Sequence, residues 1–219
     1  VHGRYQGQAA LHLDHTKDMD IIKAAIDAGF QSVMIDASQK SFEDNIAITR
    51  EVVEYAHAKN VEVEAELGKI GATDKIETDN DESLYTDPAE AEEFVAKTGV
   101  DTLAVSIGTA HGVYPVKNPK IDLERLAQIR KRVSIPLVLH GGSGLPPETV
   151  QAAITIPGGG VSKINIATDL EQAFLGTLGC QRKTNREIWQ MDEKALAEAA
   201  EAVQRVVEDK IKNFLLWKG

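Results

Sequence analysis

Regular alternation of strand and helix patterns is the feature that most constrains this chain. Short apolar or β-branched runs, each typical of a buried strand, lie at 10–14, 32–36, 61–67, 102–107, 136–139 and 163–167. Helical patterns separate and follow them, at 19–28, 42–59, 88–97, 123–132, 147–154 and 170–178. Because parallel strands are joined by crossover connections that are usually helices, this order predicts an α/β fold with a parallel sheet.

The predicted architecture is a TIM-type (β/α)8 barrel. Such a barrel usually takes about 250 residues and contains eight units, whereas the 219 residues here show six. We expect the two N-terminal units to be missing or not represented, because an open six-stranded core leaves edges that promote aggregation. The prediction is one domain over 1–219, ending in an amphipathic helix at about 191–216 that covers the barrel, in preference to packing against another subunit.

Charge and cysteine usage narrow the function. Lys and Arg number 24 against 34 Asp and Glu, which gives a net charge of −10. This balance argues against binding to nucleic acid or to an anionic membrane, since either needs a basic surface. A single cysteine, Cys180, excludes an internal disulfide and a cysteine zinc cluster, and it fits a reducing cytoplasm. No apolar run approaches the roughly 20 residues of a membrane helix, so we expect a soluble cytoplasmic protein.

Histidines cluster at the predicted carboxyl ends of strands. In parallel α/β folds, functional side chains come from these ends and from the loops that follow. His15, His111 and His140 each fall immediately after a predicted strand. Three neutral imidazoles with one open position are what a catalytic Zn²⁺ requires. A single histidine at such a place is more often structural, but three at equivalent places predict a metal site, whereas His12 is interpreted as structural.

Carboxylates accompany the histidines. Asp14 directly precedes a predicted ligand, which favours a general acid or base over an orienting partner of a histidine. Glu62, Glu64 and Glu66 alternate along one strand and therefore share a face, which is costly unless cations or solvent neutralise them. Glu66 is the best candidate for a second metal position together with Asp36. Pairing of the glutamates with lysines inside the barrel is an equally good interpretation.

Two loops near the end of the barrel carry anion-binding signals. Gly141, Gly142 and Ser143 follow the fifth predicted strand, and Asn165 to Thr168 lead from the sixth strand into a helix. Backbone amides at helix N-termini attract anions, and barrels often bind phosphate after their last two strands. The position of the glycines therefore favours a phosphate site over a simple tight turn.

Several sequence segments, taken in order, resemble the class II, metal-dependent ketose-bisphosphate aldolases over about 10–174. They are HLDH, SVMIDAS, FEDNI, VEVEAELG, YTDP, GTAHGVY, LVLHGGSG and KINIATD. The resemblance implies zinc ligation by His15, His111 and His140, with Asp14 as the proton donor. It implies a second divalent metal or a monovalent cation near Asp36 and Glu66. The substrate phosphate and triose portion are then held by Gly112, Gly141, Gly142, Ser143, Asn165, Ile166, Ala167 and Thr168.

The reaction implied by the resemblance is reversible cleavage of fructose or tagatose 1,6-bisphosphate to dihydroxyacetone phosphate and glyceraldehyde 3-phosphate. Zn²⁺ acts as a Lewis acid and stabilises the enediolate formed when the C3–C4 bond breaks. The implied setting is carbohydrate metabolism such as glycolysis, in a homodimer or homotetramer. Where the family has Gly-Gly followed by acidic residues, this chain has Gly-Ala-Thr-Asp at 71–74, so the base acting on the triose carbon stays open, with Asp74 as a candidate. The alternative is a non-catalytic or truncated barrel subunit of an aldolase complex.

Overall fold

Parallel strands and helices alternate along the chain in the computed structural model, which describes residues 9–72, 84–114 and 119–215. The strands are β1 (His12–Thr16), β2 (Ser32–Ile35), β3 (Glu62–Leu67), β4 (Gly71–Ala72), β5 (Thr102–Val105), β6 (Ala110–His111), β7 (Leu137–Leu139) and β8 (Val161–Ile164). The helices are α1 (Met19–Asp27), α2 (Phe42–His57), α3 (Pro88–Thr98), α4 (Leu123–Arg132), α5 (Pro147–Thr155), α6 (Thr168–Thr177), α7 (Asn185–Trp189) and α8 (Glu193–Asn213).

Six strands form one sheet in the order β1-β2-β3-β5-β7-β8, and every neighbouring pair is parallel. The short strands β4 and β6 pair with each other in a second sheet. The predicted α/β class and the six alternating units are thus confirmed. The carboxyl ends of all six strands consequently meet at one edge of the sheet.

The sheet curls strongly into a half-barrel. Asn165, directly after β8, donates a hydrogen bond from Nδ2 to Asp14 Oδ1 on β1 over 3.1 Å. On a flat sheet, five strand-to-strand spacings of about 4.8 Å would put these two strands roughly 24 Å apart. The contact between the first and last strands of the sheet therefore requires a concave inner face.

Residues of the strands alternate between two environments. One face is apolar and packs against the helices in the core, for example through Val63, Leu103 and Leu137, which are all fully buried. The inner face carries polar groups as well, among them Glu64 and Lys163. This period-two alternation lets one sheet stabilise the fold with one face and present chemistry on the other.

Helix ends follow the sequence signals closely. Pro88 occupies the first turn of α3, the Asp87 side chain accepts hydrogen bonds from two backbone amides of that turn, and Gly99 ends the helix in a left-handed conformation. Side chains of the same kind cap other helices, namely Asp18, Ser41, Asp122, Thr184 and Asp192. These caps satisfy amides that lack partners within the helix.

The C-terminal amphipathic pattern forms α8, which lies against α6. Its small residues Ala199 and Ala202 are buried, and Phe214, directly after the helix, is 1% exposed within the core. Lys210 anchors the same face through a 2.6 Å ion pair with Asp169 on α6. In the described ranges, no helix combines the length and apolar character needed to cross a membrane.

Some predicted boundaries are wrong. The strand predicted at 10–14 lies at His12–Thr16, and the strand predicted at 163–167 lies at Val161–Ile164. Both strands pair with their neighbours through ladders that contain a register shift, which an apolar pattern in the sequence does not reveal. The sequence interpretation also missed β4, β6 and α7, which are each five residues long or shorter.

Phe94 provides a test of the core. Its side chain is fully buried between helices and sheet, so we expect Phe94→Ala to lower the free energy of unfolding by about 3–5 kcal/mol. Trp189, which is 82% exposed, is the matched control, and Trp189→Ala should change this free energy by no more than about 0.5 kcal/mol. Urea unfolding followed by circular dichroism measures both, and equal losses would contradict the described packing.

Candidate metal and substrate site

Three histidine rings converge at the carboxyl edge of the sheet. Ring centroids are 4.8 Å apart for His15 and His111, 4.6 Å for His15 and His140, and 5.7 Å for His111 and His140. Each residue offers a ring nitrogen, and these atoms lie within 4.8 Å of one another. The three side chains that the sequence predicted as ligands are therefore close enough to share one cation.

Free ring nitrogens indicate what this group can hold. Within the described part of the chain, His15 Nε2, His111 Nε2 and His140 Nδ1 are buried without a hydrogen-bond partner. Buried polar atoms normally find partners, so three unpartnered nitrogens in one place are unusual. Neutral imidazole nitrogens suit Zn²⁺ and other borderline metals, and the residues present fit such an ion.

Local backbone geometry differs from the prediction at two of the histidines. His15 lies inside β1, and its φ of 39° is uncommon for any residue except glycine. The register of β1 against β2 shifts between Leu13 and Thr16, so the irregular turn at His15 interrupts the ladder. His111 belongs to the short strand β6, and it does not directly follow β5 as predicted. Backbone irregularities of this kind are concentrated at functional sites.

Carboxylates orient two of the rings. His15 Nδ1 lies 3.2 Å from Asp36 Oδ2, and His140 Nε2 lies 2.9 Å from Glu64 Oε1. Burial opposes the ionisation of Asp36, but hydrogen bonds from His15 and Ser38 outweigh it and hold the pKa of Asp36 well below its usual range. Asp36 is therefore an ionised carboxylate. Its contact with Nδ1 holds the His15 ring so that Nε2 is left for the other histidines.

A second, acidic group adjoins the histidines. His15, Asp36 and Glu66 each offer a ligand atom within 4.8 Å of the others. Glu66 is 2% exposed, and in the described part of the chain its Oε2 accepts no hydrogen bond. This arrangement places together the two acidic residues that the sequence predicted for a second cation.

Electrostatics differ between the histidines. Burial lowers the pKa of His111, and the neighbouring His15 and His140 lower it further. Burial also opposes protonation of His140, but Glu64 and Glu66 on either side outweigh it and raise its pKa to about 9. The cluster thus combines a basic ring between carboxylates with a ring that stays neutral at pH 7.

Asp14 lies at the open side of the site. Its side chain is 49% exposed, and Asn165 holds Oδ1 with the hydrogen bond that joins the first and last strands of the sheet. His12 Nε2 lies 3.8 Å from the same oxygen. The predicted general acid or base is therefore accessible and has a fixed neighbour. His12 itself bonds Ser32 Oγ through Nδ1 over 2.8 Å.

The predicted anion-binding loops pack against each other. The Gly142 amide donates to the Asn165 carbonyl over 2.9 Å, and Ser143 Oγ accepts a 3.1 Å hydrogen bond from the Asp169 amide at the start of α6. Gly141 has a φ of 68°, and a Cβ there would clash with the Ala110 carbonyl. The remaining predicted residues lie in the loop after β6 or between β8 and the first turn of α6: Gly112, Ile166, Ala167 and Thr168.

A cleft of about 510 Å³ opens beside the histidines. Its lining includes His15, His111 and Glu66, together with Lys17 and Lys69. The sequence analysis did not select these lysines, because isolated lysines are common on any surface. Their ammonium groups supply positive charge in a cleft that otherwise contains carboxylates.

The glutamate row on β3 divides into distinct environments. Glu62 is exposed, Glu64 pairs with Lys163 Nζ over 2.9 Å, and Glu66 faces the histidines. The sequence left two interpretations open for these glutamates. Pairing with a lysine describes Glu64, and proximity to the histidine group describes Glu66. Asp74, the candidate base, lies outside the described residues.

A sequence profile described as Fructose-bisphosphate aldolase class-II matches residues 2–216. The chain belongs to this family. Among solved structures, it is similar to the YdjI aldolase from Escherichia coli K12, with 37% identity and a TM-score of 0.78 over 97% of this chain and 72% of that chain. It is also similar to the fructose-bisphosphate aldolase from Campylobacter jejuni, with 25% identity and a TM-score of 0.70 over 94% and 70% of the two chains.

Membership of the class-II aldolase family confirms both the resemblance seen in the sequence and the TIM-type fold. It makes this chain an aldolase by family. Aldolases of this class are generally metal-dependent, and the buried histidine and glutamate group described above could hold a metal ion.

Tyr114 joins two of the loops that carry the histidines. Its hydroxyl accepts a 2.8 Å hydrogen bond from the Ala110 amide and donates a 2.8 Å bond to the Gly141 carbonyl. Burial raises the pKa of Tyr114 to about 12, from an ordinary value of 10.0. The sequence analysis missed this residue because Tyr114 bonds backbone atoms, which no motif marks, and because Gly141 lies 27 residues away in the sequence.

We expect Tyr114→Phe to lower the free energy of unfolding by about 1–3 kcal/mol at pH 7, because it leaves two backbone groups without their partner. The folded state holds the Tyr114 proton more tightly than the unfolded state does. The contribution of the Tyr114 hydroxyl to the free energy of unfolding is therefore complete below pH 10 and is lost as the pH rises toward about 12. Urea unfolding at several pH values measures the difference between wild type and variant, which should shrink over that window.

Tyr55→Phe is the control for this experiment. The Tyr55 ring lies 5.5 Å from Lys23 Nζ and 4.9 Å from Lys59 Nζ on the surface of α2. Removing its hydroxyl should change the free energy of unfolding by at most about 0.5 kcal/mol. A Tyr114→Phe variant as stable as this control would refute the bridging role.

Proposed function

We propose that the chain catalyses the reversible cleavage of a ketose 1,6-bisphosphate, fructose or tagatose, to dihydroxyacetone phosphate and glyceraldehyde 3-phosphate. The observation that carries the proposal is the convergence of His15, His111 and His140, with their free nitrogens, at the carboxyl edge of the sheet. Asp14 is on the same strand as the first of these ligands. Family membership supplies the aldol chemistry, and the site supplies residues suited to it.

Zn²⁺ is the proposed catalytic metal, bound by the three histidines. Three histidine nitrogens would hold the ion and would leave it open to substrate, as in catalytic zinc sites. When bound, the ion would supply a Lewis acid that polarises the triose carbonyl. A second divalent metal or a monovalent cation is proposed at Asp36 and Glu66, where buried oxygens adjoin His15.

Asp14 is proposed as the group that moves the proton of the C4 hydroxyl. In cleavage its carboxylate accepts this proton, and in condensation it returns a proton to the developing alkoxide. The hydrogen bond from Asn165 Nδ2 engages Oδ1, so Oδ2 is left as the atom for proton transfer. The exposed edge of the carboxylate allows substrate to approach it.

The substrate phosphate is proposed to bind where the loop after β7 meets the start of α6. The residues proposed to hold the phosphate and the triose portion are Gly112, Gly141, Gly142, Ser143, Asn165, Ile166, Ala167 and Thr168. Amides at the N-terminus of a helix attract anions, and binding of a remote phosphate orients the reacting carbons. Lys17 and Lys69 add positive charge in the cleft for an anionic sugar.

We also propose an assembly state, a location and a metabolic role for the chain. The resemblance implies a homodimer or homotetramer and a part in glycolysis, and the cysteine usage favours a cytoplasmic location. We propose that residues 1–219 form a single domain, and that the protein binds neither nucleic acid nor membrane. The alternative function, a non-catalytic barrel subunit of an aldolase complex, predicts no turnover even when metal is supplied.

Product analysis tests the substrate class. The metal-loaded protein, incubated with dihydroxyacetone phosphate and glyceraldehyde 3-phosphate, is expected to form a ketose 1,6-bisphosphate. Chromatography against both standards separates fructose from tagatose bisphosphate, which differ in configuration at C4. Failure to form either product in the presence of bound zinc would refute the proposal and favour the non-catalytic alternative.

Two substitutions separate proton transfer from metal binding. Asp14→Asn should retain bound zinc and lower kcat by about 10²- to 10⁴-fold, because an amide cannot accept the proton. His111→Ala should lose zinc and activity together, since two ligands hold the ion poorly. Zinc content by mass spectrometry and kcat measured on the same samples distinguish these outcomes.

His57→Ala is the matched histidine control. His57 lies on α2 and pairs with Asp101 over 2.8 Å, away from the three converging rings. It should keep both zinc and kcat. Zinc loss in this control, or zinc retained by His111→Ala, would contradict the proposed ligand set.

A further inference from the structure

Glu64 occupies the centre of the inner face. The residue is 1% exposed on β3, and both carboxylate oxygens have partners. Oε1 lies 2.9 Å from His140 Nε2, and Oε2 lies 2.9 Å from Lys163 Nζ on β8. One carboxylate therefore connects the middle strand of the sheet with the loop after β7 and with the last strand.

Lys163 holds this buried carboxylate in place through the contact between its Nζ and Oε2. An unpaired charge at this depth would be costly, so the ammonium group stabilises it. Lys163 is also 35% exposed at its side chain, which lets its own charge stay partly hydrated.

The contact with Glu64 determines which nitrogen of His140 is available. When a metal binds one ring nitrogen of a histidine, the other ring nitrogen keeps its N–H and donates it to a neighbouring acceptor. Nε2 lies 2.9 Å from Glu64 Oε1, whereas Nδ1 is buried without a hydrogen bond within the described residues and lies 3.4 Å from Glu66 Oε2. The shorter contact, to Glu64, occupies Nε2 and leaves Nδ1 as the nitrogen for a metal shared with His15 and His111.

We propose that Glu64, anchored by Lys163, is a positioning residue that holds His140 with Nδ1 directed at the metal. The inference rests on the proposed function, because it assumes that the three histidines bind a divalent cation. Glu64 touches neither substrate nor metal in this role. Its effect is to select the tautomer and to fix the ring, so that the ligand is ordered before the metal arrives.

Glu64→Gln tests the role, with Co²⁺ as the probe metal because its visible absorption reports the ligand set. The amide keeps the size of the side chain but removes the negative charge that selects the tautomer. We expect the Kd for Co²⁺ to rise by about 10- to 100-fold and kcat at subsaturating metal to fall in parallel. Glu62→Gln, on the same strand but exposed, is the matched control and should keep the wild-type Kd within about twofold.

Ring-nitrogen NMR gives a readout that a merely structural role would not move. In zinc-loaded wild type, long-range ¹H–¹⁵N spectra should show His140 with its proton on Nε2 and the metal on Nδ1. Glu64→Gln should shift or broaden the Nε2–H signal, while those of the other two histidines stay unchanged. Metal on Nε2 of His140 in the wild type would overturn the inference outright.

Lys163→Met covers the case in which Glu64→Gln does not fold. Glu64 then remains but loses its anchor, so the Kd for Co²⁺ should still rise, by less than in Glu64→Gln. Wild-type affinity in a folded variant of either kind would overturn the positioning role and leave the proposed function intact. Failure of the wild type itself to bind Co²⁺ would instead refute the proposed function.

Discussion

The parallel alignment of six strands in a strongly curled sheet is the constraint on which the rest of this molecule depends. Parallel strands all end at one edge, and the curl brings the first and last of them into contact through Asp14 and Asn165. His15 and His140 are 125 residues apart in the sequence, yet their rings lie side by side in the folded chain. A flat sheet with the same sequence would keep these rings apart.

The inner face also resolves an energetic problem. Buried carboxylates are costly, yet this aldolase places Glu64 and Glu66 at 1% and 2% exposure. Glu64 is compensated by His140 and Lys163, and these contacts connect three strands or their following loops. Glu66 Oε2 lies 3.4 Å from His140 Nδ1, but within the described part of the chain this oxygen and the free histidine nitrogens make no hydrogen bond, so they gain most from a bound cation.

Much of the fold could be predicted from local pattern. Apolar runs marked β2, β3, β5 and β7 to within a residue or two, because their buried outer faces are uniformly apolar. The prediction displaced β1 and β8 by two or three residues, because both strands pair through ladders with a register shift that the sequence pattern does not show. The site could likewise be predicted only in part. The motif around His140 indicated a metal ligand. Its contact with Glu64, 76 residues earlier, and the pairing of Glu64 with Lys163 became visible only in the folded chain.

The sequence by itself determined the family, the alternating units and the chemical character of the three histidines and Asp14, because short motifs and periodicity are properties of neighbouring residues. Tertiary structure decided which ring nitrogen each histidine leaves free, and it decided how the row of glutamates on β3 divides between an exposed residue, an ion pair and a place beside the metal group. It also decided the irregular backbone at His15 and the bridge made by Tyr114. These features depend on contacts between strands and loops distant in the chain, which no local pattern encodes.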